Sequence, residues 1–197
     1  MGSGPLRRLR LAYDPSELFR RYFINTLFDS TFVFLGIVAA SAILPDQPNM
    51  KVTLGLLGAA AIAVGVSSGV SVYEAERLEA EIRMAKLERA MLSELKDTDI
   101  HRTLRLFRTV LSLVNFGAPL LVFALTATPL ALNLLVGWPS ARAAAESSIA
   151  IAIAVVFTAG YILGKVAGRS PVRQALRMSL AAVATFLLLL AVDLLFA

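Results

Sequence analysis

A run of glutamates directly follows an uncharged stretch that is long enough to cross a membrane. Val52–Tyr73 holds no charged residue. The glutamates beyond it are Glu74, Glu76, Glu79, Glu81, Glu88 and Glu94. No Gly or Pro falls between Val70 and Thr98, so the sequence predicts one long helix that leaves the bilayer and continues into water. Carboxylates at the mouth of a helix bundle would gather a cation before it crosses.

The spacing of these glutamates indicates one metal-binding face. Glu74, Glu81 and Glu88 recur every seven residues, and Met84 lies on the same stripe. Carboxylate with thioether fits Fe²⁺ better than Ca²⁺, because thioether sulfur is a soft ligand. These four residues are therefore predicted metal ligands.

The same segment also fits a solvated helix held by its own ion pairs. Glu79 and Arg83 are spaced for such a pair, with Met84 in a buried seam. Acidic and basic residues balance across Glu74–Arg108, which favours this interpretation. The acid is concentrated at the start, however, since Glu74–Glu81 contains four Glu and one Arg. The residues leave both interpretations open.

Asp29 is the strongest single candidate for a functional residue, because it is a charged residue inside the first predicted span. A carboxylate there costs a few kcal/mol by insertion scales, so it usually faces a bundle interior and functions there. The alternative is a position near the inner interface, paired with Arg20 or Arg21. Asp193 is a weaker candidate, since close to the C-terminus it can reach outer water.

Small and hydroxylated residues mark the inner half of the second span. Ala61, Gly65 and Gly69 are spaced by four, the pattern that lets helices approach closely. Hydroxyls and exposed carbonyls on such a face can replace the waters of Fe²⁺, Mn²⁺ or Ca²⁺. The residues predicted to line a cation pathway are Ser67, Ser68 and Ser71.

Composition places the chain among all-α integral membrane proteins. Its 197 residues are 57% hydrophobic, the mean hydropathy is +0.73, and the charges fall in blocks between long uncharged runs. It has no cysteine and one histidine, His101, which excludes thiolate sites, zinc clusters and Ser-His-Asp chemistry. No nucleophile–base pair suggests an enzyme. The basic residues suit membrane orientation, so no nucleic-acid partner is expected.

Five spans follow from the uncharged runs. They are predicted at Phe23–Leu44, Val52–Tyr73, Thr109–Trp138, Ser147–Gly164 and from about Arg177 to the C-terminus. Pro119 and Pro129 are expected to kink or end the third span. Tyr13–Arg21 is expected to form a short interfacial helix. The chain then divides into an N-terminal segment (1–22), spans one and two (23–73), an acidic extension (74–108) and spans three to five (109–197).

The basic residues predict the orientation of these spans. Seventeen Lys and Arg residues lie on the side of the N-terminus, against only Lys51 and Arg142 on the other. Cytoplasmic loops retain such residues. The N-terminus and the acidic helix are therefore predicted to be cytoplasmic, and the C-terminus external.

Three stretches together resemble the vacuolar iron transporter family, which moves ferrous iron and manganese out of the cytosol. They are Phe28-Asp29-Ser30 with Gly36, then Gly65–Tyr73 leading into Glu79-Ala80-Glu81, and Gly164–Pro171 followed by Arg173 and Arg177. Their order and spacing carry the likeness, which covers about residues 20–197. It implies a short prokaryotic-type member in the plasma membrane, with no permanently bound cofactor.

The resemblance also implies roles for residues. Asp29 would be the carboxylate of the ion path, and Glu79 and Glu81 the best-matched cytoplasmic metal ligands. It implies a homodimer, with the path between protomers, and proton exchange. Ser30 stands where the family has Gly, and Ser68 where plant members place a pathway Met. The short extension, about Glu74–Arg108, implies a reduced metal site or a changed ion preference.

Three functions therefore compete. The first is a dimeric exporter of Fe²⁺ or Mn²⁺ that exchanges protons. The second is a transporter of a harder cation, Ca²⁺ or Mg²⁺, by the same route. The thioethers of Met84 and Met91 argue mildly against it. The third is a non-transporting membrane scaffold dimerised through the acidic helix.

Overall fold

Five long helices make up the described part of this computed structural model, which comprises residues 15–43, 49–91, 99–138 and 140–196. They are α1 (Pro15–Val38, continued by a π-helical segment, Ala39–Ile43), α2 (Met50–Met91), α3 (Asp99–Val136), α4 (Ala141–Val166) and α5 (Pro171–Phe196). All five are long and apolar enough to cross a membrane. The predicted all-α architecture with five potential membrane spans is thus confirmed within the described residues, and the orientation stays a prediction.

The second span and the acidic extension form one helix, as predicted. α2 runs for 42 residues from Met50 to Met91 without a break. Its length is consistent with the absence of any Pro between Met50 and Met91. Leu92–Thr98, the part of the extension between α2 and α3, lies outside the described residues. This range includes Glu94.

The helix ends differ from the predicted ones in two places. Tyr13–Arg21 was expected to be a separate interfacial helix, but the described residues from Pro15 onward are the first turns of α1 itself. Nothing between Pro15 and the apolar run breaks a helix, so the two join. α5 likewise begins earlier than the predicted Arg177, at Pro171, because Pro suits the first turn of a helix.

Pro119 and Pro129 do not end the third span, because both lie inside α3. Each proline removes one backbone hydrogen bond, and in a membrane the freed carbonyl needs another donor. Pro119 frees the carbonyl of Asn115, and the Ser68 hydroxyl lies 3.5 Å from that oxygen. A neighbouring helix thus supplies part of what the proline removes.

The chain packs as two compact units. The first unit falls within Met1–Thr26 and Gly65–Gly117, and the second within Leu27–Val64 and Ala118–Ala197. The boundaries between the units fall inside α1, α2 and α3. Each unit is described separately below.

The tightest packing in the second unit joins α4 to α5. A Cβ on Gly160 would lie 2.9 Å from Cα of Ala175, and one on Gly164 would lie 2.8 Å from Cα of Pro171. Both helices therefore need glycine there to approach so closely. Gly168, with φ +64°, makes the turn between them. Most large apolar side chains elsewhere on α5 face outward, as expected for a helix in contact with lipid.

Candidate functional site

Asp29 lies well inside the first span and on the outer surface of the chain. It follows Arg21 by eight residues, which is about 12 Å along the helix axis. Its side chain is exposed and takes part in an interaction, whereas Ser30 and Thr31 are fully buried. The two buried hydroxyls donate to the Leu27 carbonyl, at 3.1 and 2.6 Å. The hydroxyls therefore face the second unit's core, and the carboxylate faces away from it.

Three of the predicted metal ligands are exposed and paired with arginines of their own helix. Arg77 lies 3.7 Å from Glu74 and 3.0 Å from Glu81, and Arg83 lies 3.7 Å from Glu79. The Glu79–Arg83 pair expected for a solvated helix is thus present. Exposed pairs of this kind stabilise a helix only slightly, because solvent screens the attraction between the charges.

Within the first unit, an open groove of about 410 Å³ lies between α2 and α3, and three predicted metal ligands line it. We call it the α2–α3 groove. Its lining residues are Tyr73, Arg77, Ala80, Glu81, Met84, Ala85 and Glu88 from α2, and Leu104, Arg105 and Arg108 from α3. The groove brings together Glu81, Met84 and Glu88 but includes neither Glu74 nor Glu79. Among the described residues, no three His, Cys, Asp or Glu side chains are grouped closely enough to hold a metal ion. Metal binding by these residues stays a prediction.

Glu76 is a buried carboxylate that the sequence analysis did not single out. It is 5% exposed, and the Tyr22 hydroxyl donates to its Oε1 at 3.0 Å. This bond joins the start of α1 to α2 within the first unit. Spacing could have indicated its burial. Gly65, Gly69, Val72 and Glu76 follow one another by three or four residues, so they share one face of α2, and all four are buried.

The three serines predicted to line a cation pathway do not share one face. Ser67 and Ser71 are exposed, whereas Ser68 is half-buried against α3. The Ser68 hydroxyl donates to the Gly65 carbonyl at 3.1 Å, and its own carbonyl accepts a long hydrogen bond of 3.4 Å from the Asn115 amide. Asn115, only 2% exposed, is a polar residue of the interior that the sequence analysis missed within an uncharged run. Ser68 therefore contributes to helix packing.

The glycine stripe packs against the third span. A Cβ on Gly65 would lie 3.0 Å from the Phe116 carbonyl oxygen, and one on Gly69 would lie 3.3 Å from Cβ of Phe116. The Ser112 hydroxyl also donates to the Gly69 carbonyl at 2.7 Å. The stripe brings two helices of one chain together, which spacing alone could not distinguish from a contact between chains.

A graded loss of stability is expected when these glycines are replaced by alanine. Gly65→Ala should cost ~1–3 kcal/mol, because the added carbon meets the Phe116 backbone, which cannot rotate away. Gly69→Ala should cost less, because its closest neighbours are 3.3 Å away. Gly55→Ala is the matched control, since nothing lies within 4 Å of its added carbon. Unfolding by SDS in mild detergent would measure the order, and equal effects at all three positions would contradict it.

No protein-family model matches the chain, and no curated protein or solved structure matches it. The likeness to the vacuolar iron transporter family therefore rests on the residues and spacings quoted above.

Proposed function

We propose that this protein is a homodimeric membrane transporter that exports a divalent cation, Fe²⁺ or Mn²⁺, along a path that Asp29 lines. The observation that carries the proposal is the placement of Asp29, which is exposed on a single chain and lies inside an apolar span. Asn25, one turn earlier in the same helix, is exposed too. Within a membrane span, an outward face that carries Asp and Asn is unfavourable in contact with lipid.

The cost of that placement favours a protein partner over lipid. An Asp at the centre of a span costs ~2.5–3.5 kcal/mol by insertion scales, and such residues face a bundle interior or a water-filled cavity. A second copy of the chain, packed on this face of α1, would provide such a surrounding. It would also bring two copies of Asp29 towards one axis.

Two facing carboxylates would create a place for a divalent cation. At a separation of ~8 Å and an effective dielectric constant of ~20, two like unit charges repel by about 2 kcal/mol. A divalent cation between them replaces that repulsion with attraction, and two protons would offset it as well. The same pair of side chains can thus exchange one cation for protons, which is the basis of the proposed antiport.

The choice of ion rests on the family resemblance, which implies Fe²⁺ and Mn²⁺. The resemblance also supports the cytoplasmic ligands Glu79 and Glu81, the outward direction and the prokaryotic plasma membrane. A harder cation carried along the Asp29 path is the alternative.

A second candidate function has an observation in its favour. Leu78 and Ile82, one turn apart on the charged part of α2, are 58% and 49% exposed. Apolar side chains at that spacing suit a contact between two copies of the acidic helix. A scaffold dimerised in this way would need no ion path.

Uptake into proteoliposomes tests the transport proposal. Purified protein is reconstituted and offered Fe²⁺, Mn²⁺, Ca²⁺ or Mg²⁺ in turn, with the lumen either more acidic than the medium or at equal pH. We expect Mn²⁺ and Fe²⁺ to enter, faster with an acidic lumen, since antiport moves protons out as metal moves in. Preference for Ca²⁺ or Mg²⁺ would support the harder-cation alternative, and no uptake of any ion would support the scaffold.

A further inference from the structure

We propose that the α2–α3 groove binds a phosphate group, in the form of the headgroup of an anionic phospholipid. This inference does not depend on the transported ion. It starts from the charges that line the groove: three arginines, Arg77, Arg105 and Arg108, against two glutamates, Glu81 and Glu88.

The pairing of these groups leaves positive charge available to a ligand. Arg77 is already paired with Glu81 at 3.0 Å and lies near Glu74. Glu88 has an interaction of its own. Within the described residues, no ion pair joins a carboxylate to Arg105 or Arg108. The lining is therefore suited to an anion.

Arg108 is positioned for such a ligand. Its guanidinium carbon lies 5.0 Å from the centre of the Tyr73 ring, which orients the planar group. Its Nε is buried and has no hydrogen-bond partner among the described residues. A guanidinium has five N–H donors arranged as a fork, a geometry that matches two oxygens of one phosphate. A phosphate in the groove would give these donors acceptors.

The position of the groove, at the ends of two apolar runs, favours a lipid headgroup as the source of the phosphate. Tyr73 is the last residue of the uncharged run in α2, and Arg108 directly precedes the uncharged run in α3. Their contact places the polar ends of both apolar runs at one level. Tyr and Arg side chains favour that level, where lipid phosphates lie. On the apolar side, Val70 precedes Arg77 by two turns on the same face of α2 and is 58% exposed, which offers surface to an acyl chain.

The same groove holds Glu81, Met84 and Glu88, which were predicted to bind a metal ion. A cation there would have to displace Arg77 from Glu81 and would lie near two further arginines. Charge therefore favours the phosphate over the metal. The two ligands have opposite charge, so one set of arginine variants separates them.

Lipid binding to the full-length protein tests the proposal. Native mass spectrometry in a neutral detergent would compare phosphatidylglycerol with phosphatidylcholine, and the double variant Arg105→Gln/Arg108→Gln with the wild type. We expect the wild type to prefer phosphatidylglycerol by about tenfold, and the double variant to lose most of that preference. Arg169→Gln/Arg173→Gln is the matched control, because it removes the same charge from exposed positions that do not line the groove. The control should change binding by less than about twofold.

A single variant and two competition measurements separate a change in binding from a change in folding and identify the ligand. Arg105→Gln alone alters an exposed side chain that the fold does not need, so a partial loss there shows that binding, not folding, has changed. Equal binding of the two lipids, or unchanged binding in the double variant, would overturn the proposal. Displacement of the lipid by millimolar inorganic phosphate would assign the groove to a soluble anion. Displacement by Mn²⁺ that Glu88→Gln abolishes would assign it to the metal.

Discussion

Asp29→Asn is expected to lower metal transport by at least about tenfold while the protein still inserts and folds. Asparagine has the same size and can still offer one oxygen to a cation, but it carries no charge. A divalent cation that leaves water inside a span needs charge compensation, and losing ~1.4 kcal/mol of it already costs a factor of ten. Because Asp29 is exposed on a single chain, its replacement removes little packing within the chain.

Two matched variants make this expectation specific to the charge at position 29. Asp29→Glu keeps the charge and should retain part of the activity. Glu146→Gln makes the same chemical change at an exposed residue next to Arg142, at the start of α4, and should transport at the wild-type rate. The measurement is initial Mn²⁺ uptake per reconstituted protein, with insertion checked by size-exclusion chromatography. Wild-type uptake by Asp29→Asn would reduce Asp29 to a residue without a role in transport.

The spans were predictable because the bilayer imposes a simple requirement on sequence. Charged side chains cannot line a span cheaply, so uncharged runs mark where the helices cross. Val52–Tyr73 falls inside α2, and Thr109–Trp138 overlaps most of α3. Helix continuity beyond Tyr73 also followed from sequence, since nothing there stops an α-helix. That the prolines would lie inside a continuous helix did not follow, because the Ser68 hydroxyl, 3.5 Å from the carbonyl that Pro119 frees, comes from another helix.

Which faces meet was not predictable from spacing. Gly65 and Gly69 indicate that α2 packs closely against another helix. The sequence of α2 does not show that this other helix is α3, with Phe116 at the contact. The heptad of Glu74, Glu81 and Glu88 is equally incomplete as a guide. Glu81 and Glu88 line a groove together with three arginines, and two of these, Arg105 and Arg108, come from α3. Periodicity places a residue on a face, whereas the charges opposite that face depend on tertiary packing.

Cross-linking through Val33→Cys is expected to join two protomers efficiently. Val33 lies one turn after Asp29 on the same outward face of α1 and is 43% exposed on a single chain. If a second copy covers that face, two such cysteines come close to the dimer axis. The chain has no natural cysteine, so each single variant reports on one position only. A short bismaleimide is the reagent, because it tolerates a wider range of separations than a disulfide.

Two further positions decide between the proposed arrangements in the same experiment. Leu180→Cys, on α5, is 66% exposed and should stay monomeric, since that surface is expected to contact lipid. Ile82→Cys reports on the charged part of α2 and should cross-link only if the acidic helices pair. The bands are compared on denaturing gels after reaction in native membranes. A dimer at Val33 but not at Leu180 supports a path lined by two copies of Asp29. A dimer at Ile82 without one at Val33 supports the scaffold, because a partner at the acidic helix leaves the Asp29 face uncovered.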